Sequence, residues 1–442
     1  MNKEKTVIDR YCTKQMSEIW DRLPQLKLWA LVETMVLRAR FKLGLLDVTV
    51  PEGLPDSLAI DPEEVDRIED SGVGHEVVAF LMHTSPQLPS ELRPWWHHKL
   101  TSYDICDTAT MLQLRRSIDE LRAALFKLTK AIRQRAFEHK YTGMIGRTHG
   151  IHAEPITFGV KLANWYDECS RHAERLNQLR NRVSAGKISG VVGMYTLPPS
   201  VEEETCHMLR LNPIVATQII ARDIIAEYGQ FLALIGGTVA KIGIQIRRLA
   251  STEIREVQEY FDPDEHASSA MPHKRNPKSA ENVCSLARVL RGYQVSLCEN
   301  QETWDERSLD NSACERIVLP DASHLAHYML LRLAKNIETL IVYPARMKQN
   351  LELTRGLIFS QDVQALIAEE SRLPREEAYK LVRAIAQRCW DSGEDFREAV
   401  LSKFEILEHV SRGQIDNCFN VQNKTQYVHH IFERVFGRKE GR

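Results

Sequence analysis

The chain has 442 residues, a formal net charge of −2, and 43% hydrophobic and 27% charged residues. This length accommodates two or three domains with a large buried core, and the composition is that of an ordinary soluble globular protein. The near-neutral charge gives no indication of bulk electrostatic attraction to nucleic acid or to a membrane surface.

The cysteines and the N-terminal sequence indicate a cytoplasmic protein. The nine cysteines are scattered and none forms a C-x-x-C pair, so neither a zinc cage nor a disulfide framework is indicated. Residues 1–5 are charged and lack the apolar segment of a secretion signal. No run of about 18 uncharged apolar residues occurs, so we expect no membrane span.

Residues 1–106 are predicted to form a domain of short helices broken by prolines and acidic turns. A helical run covers 16–46, and a break rich in Pro and Asp follows at 50–62. Gly72 and Gly74 then bring His75 to the start of another helix. On local grounds His75 is either a structural or a catalytic histidine.

Two hydroxyl side chains, Thr101 and Ser102, precede the next helix. Paired hydroxyls at this position serve either as an N-cap or as an anion site, and the local pattern does not separate the two.

Long helices are predicted after residue 107. Apolar residues recur at steps of three and four through 111–132 and again through 158–183. Between these two apolar repeats, residues 146–155 are expected to form a short polar turn, as in an up-down helix bundle.

Residues 214–262 contain no proline and are apolar on nearly every side. A helix that is apolar all round is buried all round. We therefore expect this helix at the centre of an oligomer, with Gly229, Gly236 and Gly237 permitting close helix crossings.

Residues 267–277, with sequence ASSAMPHKRNP, form an irregular segment between long helices. Pro263, Pro272 and Pro277 forbid a continuous helix through it. The segment is either a polar linker or a loop that carries catalytic groups between rigid elements.

Two more long helices are predicted at 278–300 and 319–342, and a small helical domain from 349 to 442. Between the two helices, Arg307, Ser312 and Arg316 either converge on a phosphate or belong to a solvated helix end with ordinary ion pairs. The middle part, 107–348, is then a central bundle, and we predict an all-α protein.

Four stretches carry a resemblance to a known family: 100–108, 146–155, 268–277 and 304–316. Together they resemble the fumarase/aspartase superfamily and, within it, the adenylosuccinate lyases. The S-S-x-M-P-x-K-x-N-P segment is typical of the superfamily, and R-T-H-G-I-H-A-E-P of the purine branch. The resemblance implies three helical domains, a homotetramer with shared active sites, and elimination of fumarate without a cofactor or metal.

The resemblance also implies roles for individual residues. Ser268 is the implied general base, His149 the general acid, and Glu281 the hydrogen-bond partner of His149. Lys274 and Asn276 would hold the substrate carboxylate, with His75 assisting near the nucleotide. The remaining implied substrate ligands are Arg10, Tyr11, Thr101, Ser102, Thr148, Gln218, Ser269, Arg307, Ser312 and Arg316.

Two positions depart from the family pattern. Ala267 stands where the family usually has Gly before the paired serines, and this residue is expected to stiffen the loop. Gly74-His75-Glu76 stands where Arg-His-Asp is usual, which removes one nucleotide contact.

The implied substrates are adenylosuccinate, which would yield AMP, and the succinyl-aminoimidazole-carboxamide ribotide, which would yield the free carboxamide ribotide. Two alternatives remain open. One is another fumarate-releasing lyase of the superfamily, acting on argininosuccinate or a carboxymuconate. The other is a structural protein that keeps the lyase fold without catalysis.

Overall fold

The computed structural model describes residues 9–262, 271 and 273–437. Helices make up 68% of it, which confirms the mainly helical prediction. The α-helices are α1 Lys14–Trp20, α2 Arg22–Lys42, α3 Leu54–Ser57, α4 Pro62–Ile68, α5 Glu76–Thr84, α6 Ser102–Glu138, α7 Phe158–Arg182, α8 Pro199–Leu209, α9 Asp223–Leu249, α10 Lys278–Glu299, α11 Asp310–Thr339, α12 Pro344–Glu352, α13 Ser360–Ser371, α14 Arg375–Ser392, α15 Phe396–Leu401, α16 Phe404–Leu407, α17 Arg412–Cys418, α18 Val421–Thr425 and α19 Val428–Phe436.

Short strands interrupt the helices and correct the prediction for residues 146–155. In place of a polar turn, β1 (Gly143–Thr148) and β2 (Ile151–Thr157) form an antiparallel hairpin. Pro155 cannot continue a helix, and the two-residue loop His149-Gly150 closes the hairpin tightly. The other strands pair as two-residue ladders: β3 Ala185–Gly186 with β4 Asn212–Pro213, and β5 Val257–Gln258 with β6 Ile341–Val342.

Several predicted helix limits were wrong. The run 16–46 is two helices, α1 and α2, separated at Asp21, whose backbone is extended. The run 214–262 contains only one helix, α9, and its flanks are irregular apart from strand β5. The helix predicted at 319–342 begins earlier, at Asp310, and contains Pro320 in its interior. Apolar content therefore identified the core segments but did not predict where their helices begin and end.

The chain divides into two compact units, each assembled from three separate stretches. Unit 1 comprises 1–127, 171–241 and 282–332, and unit 2 comprises 128–170, 242–281 and 333–442. The predicted domains 1–106, 107–348 and 349–442 stay a prediction.

The N-terminal part of unit 1 has its own apolar core. One face of α2 carries Leu26, Trp29, Val32 and Val36, all buried. The Trp29 ring meets the ring of Phe80 from α5 edge to face at 5.6 Å. This core fixes the start of α5, where His75 lies.

Long helices pack closely within unit 1. A Cβ on Gly229 of α9 would lie 2.6 Å from Leu297 Cδ1 of α10, so any larger residue there would force the Leu297 side chain to move. Gly236 similarly faces Leu290, whereas Gly237 faces open space. The Tyr228 hydroxyl lies 2.7 Å from Ser323 Oγ and joins α9 to α11.

Helix α9 is long and apolar enough to cross a membrane by length and composition, with a mean hydropathy of 1.3 over its most apolar window. Of that window, 61% is buried inside the protein, as is usual for the core helix of a soluble protein. Leu234 and Ile244 are nevertheless 49% and 55% exposed, so the helix is not covered on every side in the single chain.

Unit 2 has two apolar clusters. One joins α13, α14, α15 and the short helices that follow, with Phe396 and Ile415 fully buried. The other packs Ile145 of β1 against Leu351, Ile358 and Phe359. The hairpin is thereby seated on the C-terminal helices.

Candidate active site

His149 lies at the exposed tip of the β1–β2 hairpin. Thr148 pairs with Ile151, so His149 and Gly150 form a two-residue loop, with φ of 53° and 82°. Positive φ at both loop positions is typical of a type I′ turn, which matches the twist of the strands. Histidine tolerates this backbone better than most residues, so the turn presents the imidazole to solvent on a short, rigid loop.

Ion pairs fix the hairpin beneath His149. Arg147 donates from both Nη atoms to Glu256, at 3.1 and 2.8 Å, and Glu256 is fully buried. Asn350 donates to the same carboxylate at 2.8 Å. On β2, Glu154 pairs with Lys424 at 2.9 Å. A planar bidentate pair sets orientation as well as distance, so the imidazole is held on a fixed support.

A cavity of about 350 Å³ lies against the hairpin tip. Gly150 and His152 line it from the hairpin, Thr354 from the turn after α12, and Trp390 from α14. Burial, together with the nearby charge of Arg147, lowers the pKa of His152. His152 is therefore neutral at pH 7.

The predicted catalytic segment 267–277 is described only in part. Ser268, Ser269 and Ala267 lie outside the described residues. Lys274 is exposed and Asn276 is partly exposed, just before α10 begins. Glu281, in the first turn of α10, is also exposed, and among the described residues no hydrogen bond joins it to His149.

Glu259, before this segment, contacts the start of α10, after it, and no sequence pattern indicated this contact. Its buried carboxylate accepts from the backbone N–H groups of Ser279 and Ala280, at 2.9 and 2.8 Å. Asn336 also donates to it at 2.7 Å. A carboxylate at a helix N-terminus satisfies free N–H groups and interacts favourably with the helix dipole.

We expect Glu259→Ala to lower the free energy of unfolding by about 1–3 kcal/mol, because it leaves buried donors unpaired. We also expect kcat to fall, since the segment with Lys274 and Asn276 is then no longer anchored at the start of α10. Urea unfolding and steady-state kinetics measure the two effects. Glu253→Ala, an exposed change on the preceding turn, is the control. A Glu259→Ala protein as stable and active as this control would contradict the role.

In unit 1 the structure brings His75 and Ser102 together. His75 is the N-cap residue of α5, after a turn in which Gly72 and Gly74 have φ of 112° and 61°. Its Nε2 lies 3.3 Å from Ser102 Oγ at the start of α6. The sequence did not predict this contact. Gly74 supplies the left-handed backbone that an arginine rarely adopts.

A buried ion pair supports the Thr101–Ser102 turn. Asp104 accepts from the Thr101 backbone N–H at 2.9 Å and pairs with Lys187 Nζ at 2.8 Å. Both charged side chains are fully buried. Lys187 also donates to the backbone carbonyl groups of Gln218, at 2.8 Å, and Gly190, at 3.2 Å. The Asp104–Lys187 pair therefore holds the Gln218 backbone and the Thr101–Ser102 turn next to each other.

The predicted phosphate ligands lie in two groups. Arg307 donates to Ser312 Oγ at 3.3 Å, and Ser312 also contacts the Tyr103 hydroxyl. Arg316 instead donates to Glu76 at 2.9 Å, and Glu76 pairs with Arg22 at 3.2 Å. A cavity of about 430 Å³ is lined by Tyr103, Ser312 and Arg316 among others.

The N-terminal segment that carries Arg10 and Tyr11 is anchored on α11. The Thr13 backbone N–H donates to His324 Nδ1 at 3.1 Å, and Thr13 Oγ1 lies 2.9 Å from His327 Nδ1. The rings of Tyr11 and Tyr328 meet edge to face at 5.3 Å. Arg10 itself is exposed. Burial lowers the pKa of His324 and of His327 to about 4.

These histidines should make stability depend on pH. Their pKa is lower in the folded protein than the value of about 6.5 in the unfolded chain, so the unfolded state takes up the protons first. Their contribution is complete above pH 6.5 and is lost as the pH falls toward 4. Between pH 7 and pH 5 the free energy of unfolding should fall in both proteins. We expect it to fall by about 1 kcal/mol less in His324→Gln than in the parent protein. Urea unfolding measures this, with exposed His430→Gln as control; equal losses in all three proteins would contradict it.

Two family models match the chain. One, described as "Lyase", matches residues 48–292, and the other, described as "Adenylosuccinate lyase C-terminus", matches residues 356–435. The adenylosuccinate lyase of Synechocystis sp. is 40% identical over 432 residues, which are 97% of this chain and 100% of that protein. The chain belongs to the adenylosuccinate lyase family. The adenylosuccinate lyase of Bacillus subtilis is also 40% identical, over 97% of this chain and 99% of that protein.

Solved structures give the same fold under several names. A fumarate lyase from Mesorhizobium sp. BNC1 superposes with a TM-score of 0.88 at 26% identity, covering 98% of this chain and all of that one. A 3-carboxy-cis,cis-muconate lactonizing enzyme from Pseudomonas putida superposes with a TM-score of 0.87 at 27% identity, covering 98% of each chain. The fold is therefore that of the fumarase/aspartase superfamily, as predicted, and it is shared by lyases with different substrates.

Within this adenylosuccinate lyase family member, sequence reasoning missed the residues that position the site. Glu256 and Glu259 lie outside the motifs, and Tyr103 and Asp104 lie within 100–108 but were given no role there. Apart from the Thr101 N–H that bonds to Asp104, their partners lie from 20 to 209 positions away in the chain. An apolar sequence context for a charged residue, as around Lys187, is the one local signal that could have indicated a buried pair.

Proposed function

We propose that this protein eliminates fumarate from adenylosuccinate to give AMP, and from succinyl-aminoimidazole-carboxamide ribotide to give the carboxamide ribotide. The observation that carries the proposal is the 40% identity to adenylosuccinate lyases over 97% of the chain. The family is one of carbon–nitrogen lyases, and purine nucleotide biosynthesis is where both substrates occur. We further propose that the enzyme works in the cytoplasm.

The proposed reaction removes a weakly acidic proton beside a carboxylate and breaks the neighbouring C–N bond. Ser268, as its alkoxide, takes the proton and becomes the neutral hydroxyl. The electron pair forms the double bond of fumarate, and the amine leaves with a proton from His149. Negative charge develops on the carboxylate, so Lys274 and Asn276 would stabilise it. No oxidant or reductant is needed for this balance. Glu281 would orient His149, and Thr148 and Ser269 would hold the succinyl group with Thr101 and Ser102.

The nucleotide part of the substrate would bind through the residues of unit 1. Arg10, Tyr11, Arg307, Ser312 and Arg316 would contact it mainly through its phosphate, with Gln218 and His75 nearby. The contact between Arg307 and Ser312 supports this part of the proposal. Guanidinium groups and hydroxyl groups match the donor pattern that a phosphate requires.

We propose a homotetramer in which each active site takes residues from several chains. Exposed apolar side chains on three long helices support an interface there. They are Leu234 and Ile244 on α9, Val289 and Val295 on α10, and Ile317 on α11. An exposed His149 without a hydrogen bond to Glu281 among the described residues of one chain also fits a site completed by a second copy.

The direct test incubates purified protein with each purine substrate and follows the ultraviolet absorbance, with chromatography of fumarate and the nucleotide product. We expect turnover of both, and its loss in Ser268→Ala. Parallel reactions contain argininosuccinate or a carboxymuconate. Turnover of one of these alone would assign another superfamily activity, and a folded tetramer that turns over none of them would support a structural role.

A further inference from the structure

Tyr103 joins two of the side chains proposed to bind the substrate phosphate. Its hydroxyl lies 2.5 Å from Ser312 Oγ, and the Arg307 Cζ atom lies 3.4 Å from the centre of its ring. Arg307 in turn donates to Ser312 Oγ at 3.3 Å. Tyr103 is the second residue of α6, directly after Ser102, so the cluster adjoins the proposed succinyl-binding hydroxyl groups.

The hydrogen-bond inventory of this cluster leaves donors for a ligand. Tyr103 and Ser312 each have one O–H, and the bond between them uses only one of the two hydrogens. Whichever residue donates, the other hydroxyl hydrogen has no acceptor among the residues that the structure describes. Arg307 has five N–H groups, of which one contacts Ser312. Burial raises the pKa of Tyr103, so its hydroxyl keeps its proton at neutral pH.

Charge distinguishes Arg307 from the other arginines nearby. Arg22 pairs with Asp66 and Glu76, and Arg316 pairs with Glu76. Within the described part of the chain, no carboxylate pairs with Arg307; its contacts are the Tyr103 ring and the Ser312 hydroxyl. A guanidinium on an aromatic face is stabilised and oriented while its charge stays available to an anion.

We propose that Tyr103 is a specificity-determining residue, which fixes Arg307 and Ser312 as an anion clamp and so favours substrates that carry a phosphate. The Tyr103 ring packs against one face of the Arg307 guanidinium, and the Tyr103 hydroxyl orients the Ser312 hydroxyl. Tyr103 acts through these two groups and is therefore a positioning residue. The inference rests on the proposed function for its substrate, although the clamp binds inorganic phosphate whatever the reaction.

The test compares Tyr103→Phe and Tyr103→Leu with the parent protein. Tyr103→Phe keeps the ring and removes the hydroxyl, and Tyr103→Leu removes both. For adenylosuccinate we expect KM to rise about fivefold in the first variant and further in the second, with kcat within twofold, because one hydrogen bond is lost. With the same substrate lacking its 5′-phosphate, KM should be unchanged. Tyr293→Phe, which loses a 2.9 Å hydrogen bond to Asp321 in the same unit, is the matched control.

Titration with inorganic phosphate in phosphate-free buffer separates this inference from the proposed function. We expect Tyr103→Phe to bind phosphate about fivefold more weakly than the parent protein. If the parent protein does not turn over adenylosuccinate, the proposed function fails, and the titration still tests the clamp. Unchanged phosphate binding in both Tyr103 variants would overturn the inference. An equal rise in KM for the substrates with and without phosphate would also overturn it.

Discussion

Replacing His149 by Asn is expected to reduce kcat by about 10² to 10⁴ with little change in KM, the loss typical of a missing general acid or base. Asparagine tolerates the positive φ of 53° at this position, so the hairpin and its tip are retained. It cannot, however, exchange a proton near neutral pH, which is the property that makes histidine suitable for protonating the leaving nitrogen. Steady-state kinetics with adenylosuccinate give both constants.

The pH dependence separates a chemical role from a structural one. If His149 supplies the proton, the limb of the kcat profile that reports its ionisation disappears in His149→Asn. A change that merely loosened the hairpin would lower kcat at every pH and leave the limb in place. Exposed His430→Asn is the control and should keep the parent profile. Turnover within a few-fold of the parent in His149→Asn would remove it from the mechanism.

The sequence predicted the long helices well because their cores repeat with a helical period. Leu114, Ile118, Leu121 and Leu125 are all buried in α6, as their spacing implied. It failed on the hairpin that carries His149. The strands there are short and lie between two long helices with strong apolar periodicity. The hydrophobic pattern therefore did not distinguish the strands from the helices. The His149-Gly150 pair followed by Pro155 was the available signal, since it combines a tight turn with a helix breaker.

The residues proposed to touch the substrate are easier to predict than those that position them. His75, Ser102, Arg307 and Ser312 belong to recurrent motifs, and the structure brings them together as His75 with Ser102 and Arg307 with Ser312. The residues behind them meet through the fold alone. Lys187 and Asp104 are 83 positions apart in the sequence, and no local period links such a pair.

The pair between Lys187 and Asp104 is where we expect the largest loss of stability. Lys187→Met should lower the free energy of unfolding by about 3–5 kcal/mol, because it leaves the Asp104 carboxylate charged and buried without its partner. The carbonyl groups of Gln218 and Gly190 would also lose their donor. Urea unfolding at pH 7, with size-exclusion chromatography to follow assembly, measures the effect.

An exposed ion pair of the same type provides the control. Lys335 and Glu338 lie 3.2 Å apart with side chains 71% and 60% exposed, and solvent screens such pairs, so Lys335→Met should cost less than about 1 kcal/mol. The double variant Lys187→Met, Asp104→Leu removes both buried charges and should recover part of the stability lost by Lys187→Met alone. It should not recover activity, because the Thr101 N–H and Gln218 carbonyl stay unsupported. If Lys187→Met and Lys335→Met cost the same, the buried pair is not what holds this part of the site in place.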